Sequence, residues 1–219
     1  MADLDRLGRA AALGLVLGLA GAACLNAATA EVQLLQQDGK PVPEAVLVVY
    51  ALDGRALPAP APAVMDQRDR RFVPRVLPVQ TGAAVTFPNS DNVSHHVYSF
   101  SPPKRFQLYL TKGGPPQSVV FERAGVETLG CNLHDWMLGY ILVVDTPYFA
   151  VTDEHGRARV SGLAAGAYRL EVWHPRFPDP KARFGREVTL QEGKPETWEL
   201  RLERPLLPAR DQKPGFVEY

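Results

Sequence analysis

The sequence is poor in cysteine, with only Cys24 and Cys131 among 219 residues. It contains no Cys-x-x-Cys pair, the spacing typical of structural zinc sites. Its formal net charge is zero, whereas nucleic-acid-binding domains are usually basic. No Ser/His/Asp constellation, phosphate-binding loop or pair of catalytic carboxylates stands out. We therefore expect neither nucleic-acid binding nor enzymatic activity.

A long apolar run is also missing. The apolar stretch Ala10–Ala23 has 14 residues, fewer than the approximately 20 that cross a bilayer as a helix. Two arginines precede it, and Ala28-Thr29-Ala30 offers the small residues that a signal peptidase reads. We predict a signal peptide at residues 1–30, a periplasmic or secreted protein, and no stable membrane span. Lipidation at Cys24 is the weaker alternative, because Gly21 stands where a lipobox has a larger apolar residue.

Twenty prolines and eighteen glycines leave little room for helices. Short apolar segments separated by Gly, Pro, Asn and Asp predict β-strands. Regularly spaced short strands are typical of a sandwich or barrel, so we predict an all-β fold. The predicted strands of the first part are Ala45–Ala51, Arg75–Val79, Ala84–Phe87, His96–Phe100, Phe106–Leu110, Ser118–Glu122, Glu127–Cys131 and Tyr140–Val144.

The one cysteine left after the leader lies in a short motif with two other metal-binding side chains. Cys131, His134 and Met137 fall within seven positions. A blue-copper site uses one Cys thiolate, two His nitrogens and a weak axial contact, usually Met. The motif supplies three of these four groups. A free cysteine in an exported protein is also a liability unless it is buried or bound to a metal.

The second histidine must come from elsewhere, and the best source is the pair His95-His96. Successive side chains of an extended segment point to opposite faces, so only one of the two can face Cys131. Met65 is an alternative to Met137 as the axial ligand, although a packing role fits it better.

The segment from about Met65 to Asp145 resembles a cupredoxin, with the short Cys-x-x-His-x-x-Met loop of amicyanin. Three runs are similar to periplasmic proteins labelled "methylamine utilization protein": Met65-Asp66-Gln67, His96-Val97-Tyr98-Ser99-Phe100-Ser101-Pro102 and Cys131-Asn132-Leu133-His134-Asp135-Trp136-Met137. The resemblance implies a cupredoxin Greek-key β-sandwich with one type 1 copper ion, and the motif alignment favours His95 over His96. The implied metal ligands are His95, Cys131, His134 and Met137.

Two residues depart from the amicyanin pattern. His96 stands where an Asn amide ties the two ligand loops together, and Asp135 replaces a Pro. These changes affect the groups around the ligands and therefore the redox potential, but they remove no ligand.

A second β unit follows, in which Tyr168, Leu170 and Val172 alternate onto one face. It resembles the C-terminal part of a carboxypeptidase-regulatory, transthyretin-like β-sandwich, whose start is similar to residues 38–46. We predict N-terminal strands and a Pro-rich connector at 31–62, the cupredoxin domain at 63–146, the transthyretin-like sandwich at 147–204 and an extended tail at 205–219. Insertion of the copper domain into the sandwich is favoured, and two consecutive domains are the alternative.

The predicted function is transfer of single electrons between redox protein partners, such as a dehydrogenase or a cytochrome. Leu133 and Trp136 would surround His134 with an apolar contact surface, and Asp135 adds a negative charge beside it. Two other functions remain open. The first is a copper chaperone or store, and the second is a cell-surface or carbohydrate-binding scaffold with an incidental metal site.

Overall fold

The computed structural model describes residues 27–209, and these contain seventeen β-strands and no helix. The predicted all-β class is confirmed. In chain order the strands are β1 (Ala28–Leu35), β2 (Val46–Ala51), β3 (Ala63–Val64), β4 (Asp66–Arg68), β5 (Arg71–Val73), β6 (Val76–Gln80), β7 (Ala83–Phe87), β8 (His95–Ser99), β9 (Phe106–Leu110), β10 (Gln117–Phe121), β11 (Gly125–Cys131), β12 (Leu138–Val144), β13 (Phe149–Val151), β14 (Arg157–Leu163), β15 (Gly166–Trp173), β16 (Phe184–Leu190) and β17 (Pro195–Arg201). Over residues 27–209 nothing helical has the length and apolarity that a membrane span requires.

Strands from both ends of the described chain form one sandwich, which we call the terminal sandwich. Its two sheets have the orders β14-β1-β17 and β13-β2-β15-β16. Tyr168, Leu170 and Val172 of β15 are buried in its core, as their alternation predicts. The Thr152 hydroxyl joins the two chain segments, since it accepts from the Ala45 N–H and donates to the Val42 carbonyl.

The strands between them form a second unit, the central sandwich. A sheet with the order β10-β7-β3 faces a five-stranded sheet with the order β6-β12-β11-β8-β9, and β4 and β5 form a separate hairpin. Its core holds Met65, Phe87, Leu129, Cys131 and Met137 among other apolar side chains. The chain leaves the terminal sandwich after β2 and returns to it at β13.

Strand β12 contributes to both cores. Ile141 and Val143 lie in the core of the central sandwich, whereas Leu142 and Val144 lie in that of the terminal sandwich. Burial on both faces explains why this strand is a continuous apolar run instead of an alternating one. The rings of Tyr140 and Trp173 also meet edge to face across the boundary, with centroids 6.0 Å apart. The two sandwiches therefore share a packed interface.

Strand β1 begins at Ala28, three residues before the predicted N-terminal strands at 31–62, because these three residues were assigned to the leader. Ala28 and Ala30 are buried, and Ala28 pairs with Leu163 of β14. Cleavage after Ala30 would remove three residues of this strand. The rest of the predicted leader, residues 1–26, lies outside the described residues, so the leader stays a prediction.

A glutamate is buried in the core of the central sandwich. The side chain of Glu127, on β11, is fully buried, and its Oε2 accepts a hydrogen bond from the Ser99 hydroxyl at 2.7 Å. Its Oε1 has no partner among the described residues. Burial disfavours the charged carboxylate and raises the pKa of Glu127 to about 7, because this effect exceeds the opposite effect of the hydrogen bond from the Ser99 hydroxyl.

This glutamate should make the fold less stable as pH rises. The Glu127 carboxyl releases its proton near its ordinary pKa of about 4.3 in the unfolded chain and near 7 in the folded chain. Its contribution to the free energy of unfolding therefore falls between these two pH values and stays constant above pH 7. Glu127→Gln should remove about 1 to 3 kcal/mol of that decline. Urea unfolding between pH 5 and 8 measures the pH dependence of the free energy of unfolding. The substitution Glu122→Gln, at an exposed position, is the control. Parallel pH profiles for wild type and Glu127→Gln would refute the expectation.

Candidate metal centre

Two neighbouring strands bring His95 and Cys131 together. His95 is the first residue of β8 and Cys131 the last of β11, and the strands pair antiparallel with Cys131 opposite Val97. Side chains two positions apart share a face, and His95 and Val97 are both buried while His96 between them is only half-buried. The pairing therefore directs the His95 and Cys131 side chains into the same core.

The short loop between β11 and β12 supplies His134. The Met137 N–H donates to the His134 carbonyl at 3.0 Å and closes a turn. At the start of the loop, the Asn132 N–H donates to the His96 carbonyl at 3.0 Å, which extends the contact between β11 and β8 beyond Cys131. The loop is thus held at both ends.

His95, Cys131 and His134 form the one cluster of potential metal ligands found within residues 27–209, and their ligand atoms all lie within 4.8 Å of one another. The Cys131 Sγ lies 3.8 Å from His95 Nδ1 and 3.7 Å from His134 Nδ1. His95 and Cys131 are buried, whereas His134 is partly exposed.

These distances fit a trigonal metal site. With metal–nitrogen bonds of about 2.0 Å, metal–sulfur bonds of about 2.3 Å and angles near 120°, sulfur and nitrogen lie about 3.7 Å apart. A tetrahedral angle would bring them to about 3.5 Å. One sulfur and two imidazole nitrogens, with both sulfur–nitrogen distances close to the trigonal value, are the strong donor set of a blue-copper site. The residues present therefore fit a copper ion.

The electrostatics of the cluster favour loss of the thiol proton. Burial raises the pKa of the Cys131 thiol, but hydrogen bonds from His95 and neighbouring backbone groups outweigh it and hold the pKa below its ordinary value. Burial lowers the pKa of His95, yet its bonds to Cys131 and Asp91 leave it raised. Burial also lowers the pKa of His134. The Cys131 thiol thus loses its proton more readily than a free cysteine, and a bound cation would displace the remaining thiol or imidazole proton.

Of the two adjacent histidines, the structure places His95 beside Cys131. His96 lies on the other face, where its Nδ1 is 3.1 Å from Asn132 Nδ2 and its Nε2 is 3.1 Å from Gln107 Oε1. His96 stands where the amicyanin pattern has an Asn whose amide ties the two ligand loops together. In this structure the two loops are also linked by an amide, but the amide belongs to Asn132 of the Cys131 loop and its partner is the ring of His96.

The two candidate axial methionines are both buried in the core of the central sandwich. Met137 is 2% exposed and Met65 is fully buried, and both belong to the apolar cluster that includes Cys131. Met137 is also tied by its backbone to His134. Its role as the axial ligand stays a prediction.

Sequence reasoning missed Asp91, which contacts the ring of His95. The carboxylate Oδ2 lies 2.8 Å from His95 Nε2. Asp91 lies four residues before His95, in the loop between β7 and β8. In such a loop the sequence shows no alternation from which the direction of a side chain could be predicted. The hairpin of β4 and β5, which also contacts Asp91, was not predicted either.

No family model matches this sequence, and neither does any curated protein. Among solved structures, a purple cupredoxin from Nitrosopumilus maritimus is 27% identical, with a TM-score of 0.33, over 37% of this chain and 99% of its own. A reduced amicyanin variant is 22% identical, with a TM-score of 0.34, over 46% of this chain and 99% of its own. A copper-containing nitrite reductase from Thermus scotoductus is 23% identical, with a TM-score of 0.36, over 52% of this chain and 28% of its own.

These structural neighbours thus include a purple cupredoxin, an amicyanin and a copper-containing nitrite reductase. All three TM-scores are below 0.5, so the fold and the site are defined by the strands and side chains of this protein alone.

The two histidines can be separated by substitution. His95→Ala should weaken Cu(II) binding by at least about 100-fold, more than the loss of a group outside the ligand set. His96→Ala removes the contacts with Asn132, Gln107 and the Tyr109 ring and should change the affinity for Cu(II) less than about tenfold. Competition titration with a chelator measures both affinities. The reverse pattern would transfer the ligand role to His96.

Proposed function

We propose that this protein is a periplasmic type 1 copper protein that transfers single electrons between redox partners. The observation that carries the proposal is the arrangement of His95, Cys131 and His134, with sulfur–nitrogen distances of 3.8 and 3.7 Å. One thiolate and two imidazoles suit copper better than zinc, which prefers four strong ligands in a tetrahedron. Met137 is proposed as the weak axial ligand.

Electron transfer requires a site whose shape changes little between oxidation states. Bound copper supplies a reversible one-electron couple. The chain keeps His95 and Cys131 on paired strands, and the buried β-sandwich around them limits their movement. This rigidity favours electron transfer over a copper chaperone or store, since release of the ion requires the ligands to separate.

His134 is proposed as the point where electrons enter and leave. It is the partly exposed member of the cluster, and the Trp136 ring packs edge-on against it with centroids 5.4 Å apart. Leu133, in the same loop, is 51% exposed. A small apolar surface of this kind suits the brief, weak encounters of redox proteins.

The strand arrangement supports a proposal for the domain organisation. We assign residues 63–146 to a cupredoxin domain inserted into a transthyretin-like sandwich made of residues 31–62 and 147–204. In support, β1 and β2 pair with strands that follow β12. The predicted leader supports an exported protein. A free thiol is a liability in an oxidising compartment, and burial of Cys131, the free cysteine within residues 27–209, together with a bound copper ion would protect it.

Addition of Cu(II) to the purified protein tests the proposed function. We expect one equivalent to bind and to produce an intense blue or green thiolate-to-copper absorption band. Cys131→Ser should lose the band, because a hydroxyl cannot provide the thiolate charge transfer, while the β-sheet circular dichroism stays unchanged. A colourless or two-copper product would exclude a type 1 site, and transfer of Cu(I) to an acceptor without redox cycling would favour the chaperone.

The proposed contact surface can be tested without the natural partner. Two copies that exchange electrons through the surface around His134 bring their Leu133 side chains together. Leu133→Lys should therefore slow electron self-exchange at low ionic strength by about tenfold, because like charges meet at the contact. Line broadening in NMR of mixed Cu(I) and Cu(II) protein measures the rate.

Leu52→Lys is the matched control for that experiment. Leu52 is 42% exposed, compared with 51% for Leu133, but it follows β2 in the terminal sandwich. The Leu52→Lys variant should leave the self-exchange rate near that of the wild type. Equal slowing by both variants would mean that net charge, and not the loop, controls the exchange.

A further inference from the structure

The imidazole of His95 is held between two acceptors. Its Nδ1 faces the Cys131 sulfur at 3.8 Å, and its Nε2 lies 2.8 Å from the Asp91 Oδ2. The His95 side chain is fully buried and that of Asp91 is 10% exposed. An ionised carboxylate only accepts hydrogen bonds, so Nε2 carries the hydrogen and donates it. In the neutral ring, Nδ1 then presents its lone pair toward Cys131, as a metal ligand must.

The Asp91 carboxylate is itself fixed from another direction. The backbone N–H groups of Asp69 and Arg70 donate to it at 2.6 and 2.9 Å. Both residues have φ of 53°, the left-handed conformation that turns these successive N–H groups toward the carboxylate. The Asp91 N–H also donates to Asn89 Oδ1 at 3.0 Å. Asp91 therefore connects the β4–β5 hairpin to His95 and has little freedom to move.

The two histidines of the cluster differ in this respect. Among residues 27–209, the ring of His134 contacts Cys131, His95 and Trp136, and no carboxylate is hydrogen-bonded to its Nε2. The carboxylate is thus hydrogen-bonded to the buried histidine, while the edge of the partly exposed His134 stays open to a partner.

We propose that Asp91 is a positioning residue of the copper centre, and the inference rests on the proposed function. It holds His95 in one tautomer and one orientation. Its fixed negative charge, one imidazole ring away from Nδ1, also stabilises Cu(II) more than Cu(I), because the attraction grows with the charge of the ion. Asp91 thereby lowers the reduction potential of the site.

Asp91→Asn tests this inference, because the amide keeps the size and an acceptor oxygen but removes the charge. One copper ion and the absorption band should be retained. The affinity for Cu(II) should fall about tenfold relative to that for Cu(I), the lower end of the 10–100-fold loss seen for groups behind a ligand. For a one-electron couple that ratio equals a rise of about 59 mV in the reduction potential, which voltammetry measures.

Asp66→Asn is the matched control. Asp66 is also buried and lies on the same hairpin, but its carboxylate contacts the Ser90 N–H and Arg68, and no member of the cluster. The potential should stay near that of the wild type. A rise as large as that of Asp91→Asn would show a general effect of buried charge and would overturn the specific role of Asp91.

A second measurement needs no variant. In the diamagnetic Cu(I) protein, the Nε2–H of His95 should exchange with solvent far more slowly than that of His134, as seen by ¹⁵N NMR. Equal exchange rates, or an Asp91→Asn protein with wild-type potential, would refute the role of Asp91 while the blue copper site stood. If the wild type binds no copper with a thiolate band, it is the proposed function that fails, and the inference falls with it.

Discussion

The antiparallel contact between β8 and β11 is the interaction on which the candidate centre depends. It sets Cys131 opposite Val97 and so places His95 on the same inward face. Gly130, just before Cys131, is part of this contact. A Cβ there would lie 2.6 Å from the Tyr98 ring, so the ring can cover β11 only because this residue is glycine. A slip of one residue would turn His96 inward and His95 outward.

Strand β12 links the centre to the rest of the molecule. It follows directly after the loop that carries His134 and Met137, and it is buried in both sandwiches. An ion pair between Arg75 and Glu44 adds a contact at the boundary, with the Arg75 Nε donating to Glu44 Oε1 at 2.8 Å. The loop therefore ends on a strand held from both sides, which gives the proposed electron carrier a rigid support.

The cluster is asymmetric, and the asymmetry matches the proposed roles. His95 is buried, bonded to a carboxylate and tied through Asp91 to a hairpin, whereas His134 is partly exposed and packs against Trp136. A buried, braced ligand resists rearrangement when the charge of the ion changes. A partly exposed ligand offers a short path to a partner. The proposed copper site would thus combine a fixed ligand on its inner side with an accessible one on its outer side.

The sequence by itself determined the all-β class, the alternating core of β15 and the local motif of Cys131, His134 and Met137, because each depends on spacing within one strand or loop. It left His95 and His96 as alternatives, since alternation shows that they face opposite ways but not which face is inward. The strand pairing decided that. Asp91 and the amide link between Asn132 and His96 also required the tertiary structure. They join segments 4 to 36 residues apart through turns and neighbouring strands, and no periodic pattern encodes where such side chains meet.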